Sequence, residues 1–140
     1  MLTRALALLS YLLLFAAGCH SRPAVRIAVS RGVPAHELTF TVRSVDSTAT
    51  DGVEQLSVHV RKTGRGRGTS GMLYWEMVRQ PEASVVRLPA VIRYGSPPKG
   101  YTQVGRTGNL PMGHYEVRAR GTQGPPAIAR FDVTTAGTIE

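Results

Sequence analysis

Along most of this chain the hydrophobic positions recur at every second residue. Val25, Ile27 and Val29 alternate with Arg26, Ala28 and Ser30, and Leu38, Phe40 and Val42 alternate with Thr39, Thr41 and Arg43. A period of two sends successive side chains to opposite faces of an extended backbone, so each run predicts a strand buried on one side. Leu56, Val58 and Val60 set against Ser57, His59 and Arg61 predict a third strand, and Leu73, Trp75 and Met77 set against Tyr74, Glu76 and Val78 a fourth. The stretch from Val85 to Tyr94 is also apolar, but Pro89 offers no N–H to a ladder and must break it or push it to a sheet edge. Tyr115, Val117 and Ala119, and then Ala129, Phe131 and Val133, predict the last two strands. Turn-forming clusters at 47–52, 64–71, 96–100, 105–109 and 121–126 separate these runs at the spacing of a two-sheet sandwich. No segment sustains a period of 3.6 and there is no internal repeat. The pattern predicts an all-β antiparallel sandwich of about seven to eight strands.

The first residues depart from that pattern. Arg4 precedes an apolar run from Ala5 to Phe15, interrupted by Ser10 and Tyr11, and Ala16-Ala17-Gly18-Cys19 follows. A charged start, a short apolar core and small residues at a cut site make a secretory signal, predicted as a helix. A membrane-spanning helix needs roughly 20 apolar residues, more than this run supplies. The small residues ending at the chain's one cysteine resemble the lipobox of bacterial lipoproteins, although Ala16 stands where that family usually has Leu. The resemblance implies that Cys19 is lipidated and becomes the mature N-terminus in the cell envelope. It also implies a destination, because the residue after the cysteine is His20 rather than the aspartate that often retains such proteins in the inner membrane. The implied address is the outer membrane, facing the periplasm. With its thiol consumed by lipid, the mature chain has no disulfide, catalytic cysteine or cysteine metal site. The expected organisation is a signal peptide at 1–18, a lipidated N-terminus and short tether at 19–23, one sandwich domain at 24–135 and a tail at 136–140. The mature chain of about 120 residues is long enough to bury a core without staples.

A second resemblance lies late in the chain. Leu110-Pro111-Met112-Gly113-His114-Tyr115-Glu116-Val117 resembles the tyrosine corner of immunoglobulin-like and fibronectin-type sandwiches, in which a Tyr at the start of strand F hydrogen-bonds back across the preceding turn. Val117 stands where antibody domains place their second cysteine. Trp75 lies on an earlier strand, with Val58 or Val60 upstream where the first cysteine would be. The resemblance, over about residues 54–135, implies an immunoglobulin-like domain without a disulfide, with Trp75 and Tyr115 as structural residues. The strands at 24–30 and 37–45 would then supply strand A and an extra edge, or a split first strand.

The net charge is +8, carried by fifteen arginines and only two lysines, Lys62 and Lys99. A nucleic-acid partner is excluded by the envelope address and by the lack of lysines interleaved with stacking aromatics. The charge does favour anionic lipid headgroups or an acidic partner.

Candidate chemistry is sparse. His20, His36, His59 and His114 with Met72, Met77 and Met112 follow no ligand spacing, and Met77 shares a strand face with Trp75, so no metal and no cofactor is expected. Serines 57, 70, 84 and 96 lack a nucleophile elbow. The carboxylates mostly alternate outward or sit in turns, where solvation is expected. The chain is therefore expected not to be an enzyme. Gly64-Arg65-Gly66-Arg67-Gly68 is the most unusual local sequence, able to fan two arginines onto an acidic ligand. Taken as the B–C connection, it would cluster with the F–G turn at 121–126 and bring Arg65, Arg67 and Arg120 onto one acidic target. Two functions stay open: a membrane-tethered, non-catalytic binding or structural module whose partner is an envelope protein or anionic polymer, and an inhibitor or immunity-type lipoprotein that blocks an acidic enzyme. A small enzyme or metal-binding periplasmic protein is the third.

Overall fold

A computed structural model describes residues 22–46, 52–61 and 71–140. Among them the strands run, in chain order, β1 (Val25–Val29), β2 (Thr39–Ser44), β3 (Gly52–Val60), β4 (Leu73–Arg79), β5 (Val86–Arg87), β6 (Ala90–Arg93), β7 (Tyr101–Gly105), β8 (Gly113–Gly121) and β9 (Ala127–Val133). That is nine described strands where the alternation predicts seven to eight. Pro89 divides the 85–94 stretch into β5 and β6, and β7 forms from Tyr101-Thr102-Gln103-Val104, which carries no clean alternation.

All strands pair antiparallel. One sheet has the order β1-β2-β6 and the other β7-β4-β3-β8-β9, with β5 pairing the first residues of β3. β1 packs over β8 and β9, closing a sandwich. The β1-β2-β6 sheet corresponds to A-B-E of an immunoglobulin-like domain and β4-β3-β8-β9 to C′-C-F-G. β7 occupies the edge beyond β4 but enters the sheet after β6. This order corrects the expected strand assignment: Trp75 lies on the C′-like strand and Val58 on the C-like one. Val58 pairs directly with Val117 inside one sheet, so it cannot be the opposite-sheet partner of that position. Phe40 and Val42 on β2 face across the sandwich instead, with the Phe40 ring 6.2 Å from Phe131.

The core follows the two-residue period where strands are regular. Leu38, Phe40, Val42, Leu56, Val58 and Val117 are fully buried, each removed from water at a gain of about 1.5–3 kcal/mol. Two bulges alter the pattern. On β4, Val58 pairs Trp75 but His59 pairs Leu73, leaving Tyr74 as an extra residue. The bulge turns Tyr74 inward beside Trp75 and leaves Leu73 exposed, against the expectation that Leu73 shares the Trp75 face. On β3, Val53 pairs Gly121 but Gln55 pairs Arg120, so Glu54 is extra. Glu54 meets Arg79 at the sheet end, 2.8 Å from its Nε, and Gln55 starts the outward face.

Residues 136–140, expected as a tail, are part of the fold. Ile139 is fully buried, its N–H donates to the Val33 carbonyl at 2.9 Å, and Glu140 exchanges two backbone hydrogen bonds with Asp132.

Candidate functional site

β3 and β8 run side by side at the centre of the larger sheet. Their inward residues fill the core, so the alternate residues form a polar ladder on the outer face. The cross-strand pairs are Gln55 with Arg120, Ser57 with Arg118, and His59 with Glu116. Side chains directly opposite on one face lie close enough to interact. Gln55, Ser57, His59, Arg118 and Arg120, with Pro126 at the rim, line a groove of about 280 Å³.

Most of the groove's polar groups are held by neighbours. His59 Nε2 lies 3.0 Å from Ser57 Oγ, and the Gln55 amide donates to Glu76 on β4. Nε and Nη2 of Arg118 each lie 2.8 Å from Oε1 of Glu116, and Arg130 on β9 approaches the other oxygen to 3.6 Å. Glu116 is 7% exposed, a buried carboxylate where solvated surface was expected. Its burial follows from position, because a charge on a central strand flanked by Arg118 and Arg130 is covered by the side chains that neutralise it. Arg120 is exposed, and no carboxylate pairs with it among the described residues.

The chemistry open to this arrangement is hydrogen bonding to an acidic group. Ser57 and His59 have the separation of a nucleophile and base, but His59 Nδ1 is buried with no partner among the described residues. The carboxylate opposite it, Glu116, is already engaged by two arginines, so the pair lacks the orienting acid of a triad. Among the described residues no group of three His, Cys, Asp or Glu side chains could hold a metal ion. His114 contacts Asp132 at 2.8 Å on the exposed β8–β9 surface, away from Met77, which is core.

Cys19, Arg65 and Arg67 lie outside the described residues. The flanks of the 62–70 segment are described and correct the expected loop cluster. Arg61 leaves β3 beside His114, whose carbonyl accepts its N–H at 2.8 Å, so this connection starts where β8 begins. Arg120 lies near the other end of β8, opposite Gln55. Five to six residues of strand separate the two places, about 17–20 Å at roughly 3.3 Å per residue, so Arg120 belongs to the β3–β8 groove and not with that connection. The reason is register: the 61–72 connection joins two neighbouring strands of one sheet, and the antiparallel pairing of β3 with β8 places it opposite the 122–126 turn.

Trp75 and Tyr115 both serve the core. Trp75 is fully buried, edge-on to Tyr94 at 5.3 Å, and its Nε1 donates to Gln103 Oε1 at 3.0 Å. The Tyr115 hydroxyl donates to the Pro111 carbonyl at 2.7 Å, across the turn before β8. Sequence reasoning missed Gln55, Ser57, His59 and Arg118 as groove residues. Alternation places Ser57 and His59 on the outward face, but only pairing of β3 with β8 sets them against the arginines.

No family model, no curated protein and no solved structure matches the chain. This surface and the N-terminal pattern are therefore what bears on function. No helix among the described residues is long and apolar enough to cross a membrane.

Proposed function

We propose that this chain is an envelope lipoprotein, tethered through lipid on Cys19, whose sandwich is a non-catalytic binding module for an acidic group of an envelope partner. The run Ala5–Phe15 and Ala16-Ala17-Gly18-Cys19 support the tether. The observation that carries the binding reading is the β3–β8 groove, where exposed Arg120 stands beside hydrogen-bond donors that are already fixed by Glu116 and Glu76. Donors fixed in advance lose little rotamer freedom on binding, and an arginine can grip a carboxylate or phosphate with two nitrogens.

The test is photo-crosslinking in intact bacteria, with the crosslinking residue placed at Arg120 or, as a control on the other sheet, at Arg93. One dominant envelope adduct from position 120, lost when Cys19→Ser removes the lipid, is the expected result. The same adducts from both positions, or none from 120, would remove the groove from the proposal. In the purified complex, Arg120→Ala should weaken capture about tenfold, the effect of losing roughly 1.4 kcal/mol of charge-assisted hydrogen bonding.

A further inference from the structure

The path of the first described residues determines which end of the sandwich meets the tether. The Val45 N–H donates to the Ala24 carbonyl at 2.9 Å, and the Arg22 carbonyl lies against Gly124 in the β8–β9 turn, 3.3 Å from where a Cβ would stand. Gly124 has φ +74, so a side chain there would be strained as well as crowded. The chain therefore joins the domain at the end formed by the 122–126 turn, the start of β3, the end of β4 and the start of β7. With residues 22–24 bound to that end, two residues separate it from Cys19, a reach of about 10 Å at roughly 3.5 Å per residue.

That end is ringed by exposed cations, Arg22, Arg26, Arg43, Arg87 and Lys99, with Arg120 of the groove beside them. Arg26 and Arg43 are direct cross-strand partners on the outer face of the smaller sheet, and no carboxylate pairs with either among the described residues. Like charges directly opposite one another destabilise a sheet, so the free domain holds this pair at a cost that an anionic surface would relieve. Of the carboxylates at the same end, Glu54 is held by Arg79, and Asp46 and Glu82 are exposed. β3 ends and β4 begins at the opposite end, where the Arg61 N–H donates to the His114 carbonyl. Nine residues of β8 separate the two ends, about 30 Å, several times the roughly 8 Å over which salt screens charge.

We infer that the tether end is a docking surface for anionic lipid headgroups, which holds the sandwich upright and turns the 61–72 connection away from the bilayer. This rests on lipidation of Cys19. Each cation within reach of an anionic leaflet adds about fivefold to surface binding, so five cations that pair with no carboxylate among the described residues, at the end the tether already brings to the bilayer, hold the domain in that orientation.

The test uses the processed, lipidated protein in vesicles of phosphatidylcholine alone or mixed with phosphatidylglycerol. With Cys19 carrying lipid, Gln123→Cys or Asn109→Cys supplies the one free thiol for a polarity-sensitive dye, at the tether end or the opposite end respectively. The expected result is a blue shift at position 123 in phosphatidylglycerol vesicles only, lost in high salt and in Arg26→Gln/Arg43→Gln, with no shift at 109. Flotation with both vesicles but the same emission at 123 in each would overturn the docking while leaving the anchor standing. A shift at 109 equal to that at 123 would overturn the orientation. Failure to float with either vesicle would remove the anchor, and the docking with it.

Discussion

Tyr115→Phe isolates one hydrogen bond. The Tyr115 ring is 2% exposed, stacked on Phe131 with centroids 5.4 Å apart and planes 14° apart, and meets Tyr74 edge-on at 5.9 Å. Phenylalanine keeps both ring contacts and the buried area. What goes is the hydroxyl and its 2.7 Å bond to the Pro111 carbonyl. Pro111 is exposed, so water can take the vacated carbonyl and little desolvation penalty is added. The expected loss is the net value of one neutral hydrogen bond, about 1 kcal/mol. For a domain of this size that is a fall of roughly 3–5 °C in Tm. Urea unfolding followed by the fluorescence of Trp75, with thermal unfolding by circular dichroism, measures it. A shift below about 0.3 kcal/mol at unchanged m-value would refute the argument that the corner bond stabilises the fold. A loss near 3 kcal/mol would refute the claim that the rings are undisturbed, since that is the scale of lost core packing.

Ile139→Ala should cost about 2–5 kcal/mol in the same assay, because Ile139 is fully buried, and a change within 0.5 kcal/mol would mean that the last residues do not close the core. Stability should also fall at alkaline pH. Burial, with Tyr74 nearby, pushes the Tyr115 hydroxyl from 10.0 up to about 12, and burial raises Tyr94 and Tyr101 as well. The unfolded chain then releases these protons first, so their contribution is full below pH 10 and falls as pH rises, that of Tyr115 being lost as pH passes through 12. Urea midpoints that stay flat from pH 9 to 12 would contradict the burial of these phenols.

Local alternation identified buried faces wherever a strand is regular. Phe40 and Val42, Leu56 and Val58, and Tyr115 and Val117 are all inward as their spacing requires, because a pleated backbone turns each side chain opposite to the last. It misplaced Leu73 because a bulge is one extra residue accommodated by a partner strand, and the period carries no trace of the partner. Glu116 reads as an exposed position from its own strand. Its burial depends on Arg118 beside it and Arg130 on β9, a pairing that links residues through sheet register.

The candidate site divides the same way. Arg120 was legible as an exposed arginine, but the connection expected beside it leaves β3 at the other end of β8, because which connection shares an end with which turn depends on strand order. Ser57 and His59 were legible as outward-facing, and their place in a groove was not.

The chain's own order of residues determined the all-β class, the faces of most strands, the tyrosine corner with its Pro111 acceptor four residues before Tyr115, and the N-terminal pattern ending at Cys19. These are properties of neighbours within a few residues, where backbone periodicity and turn geometry act directly. Only the tertiary structure decided that β3 lies between β4 and β8, that Gln55, Ser57 and His59 face Arg118 and Arg120, and that Ile139 completes the core. Each of these joins residues far apart in sequence. Such contacts are selected by the packing of two whole sheets, which no local segment can encode alone.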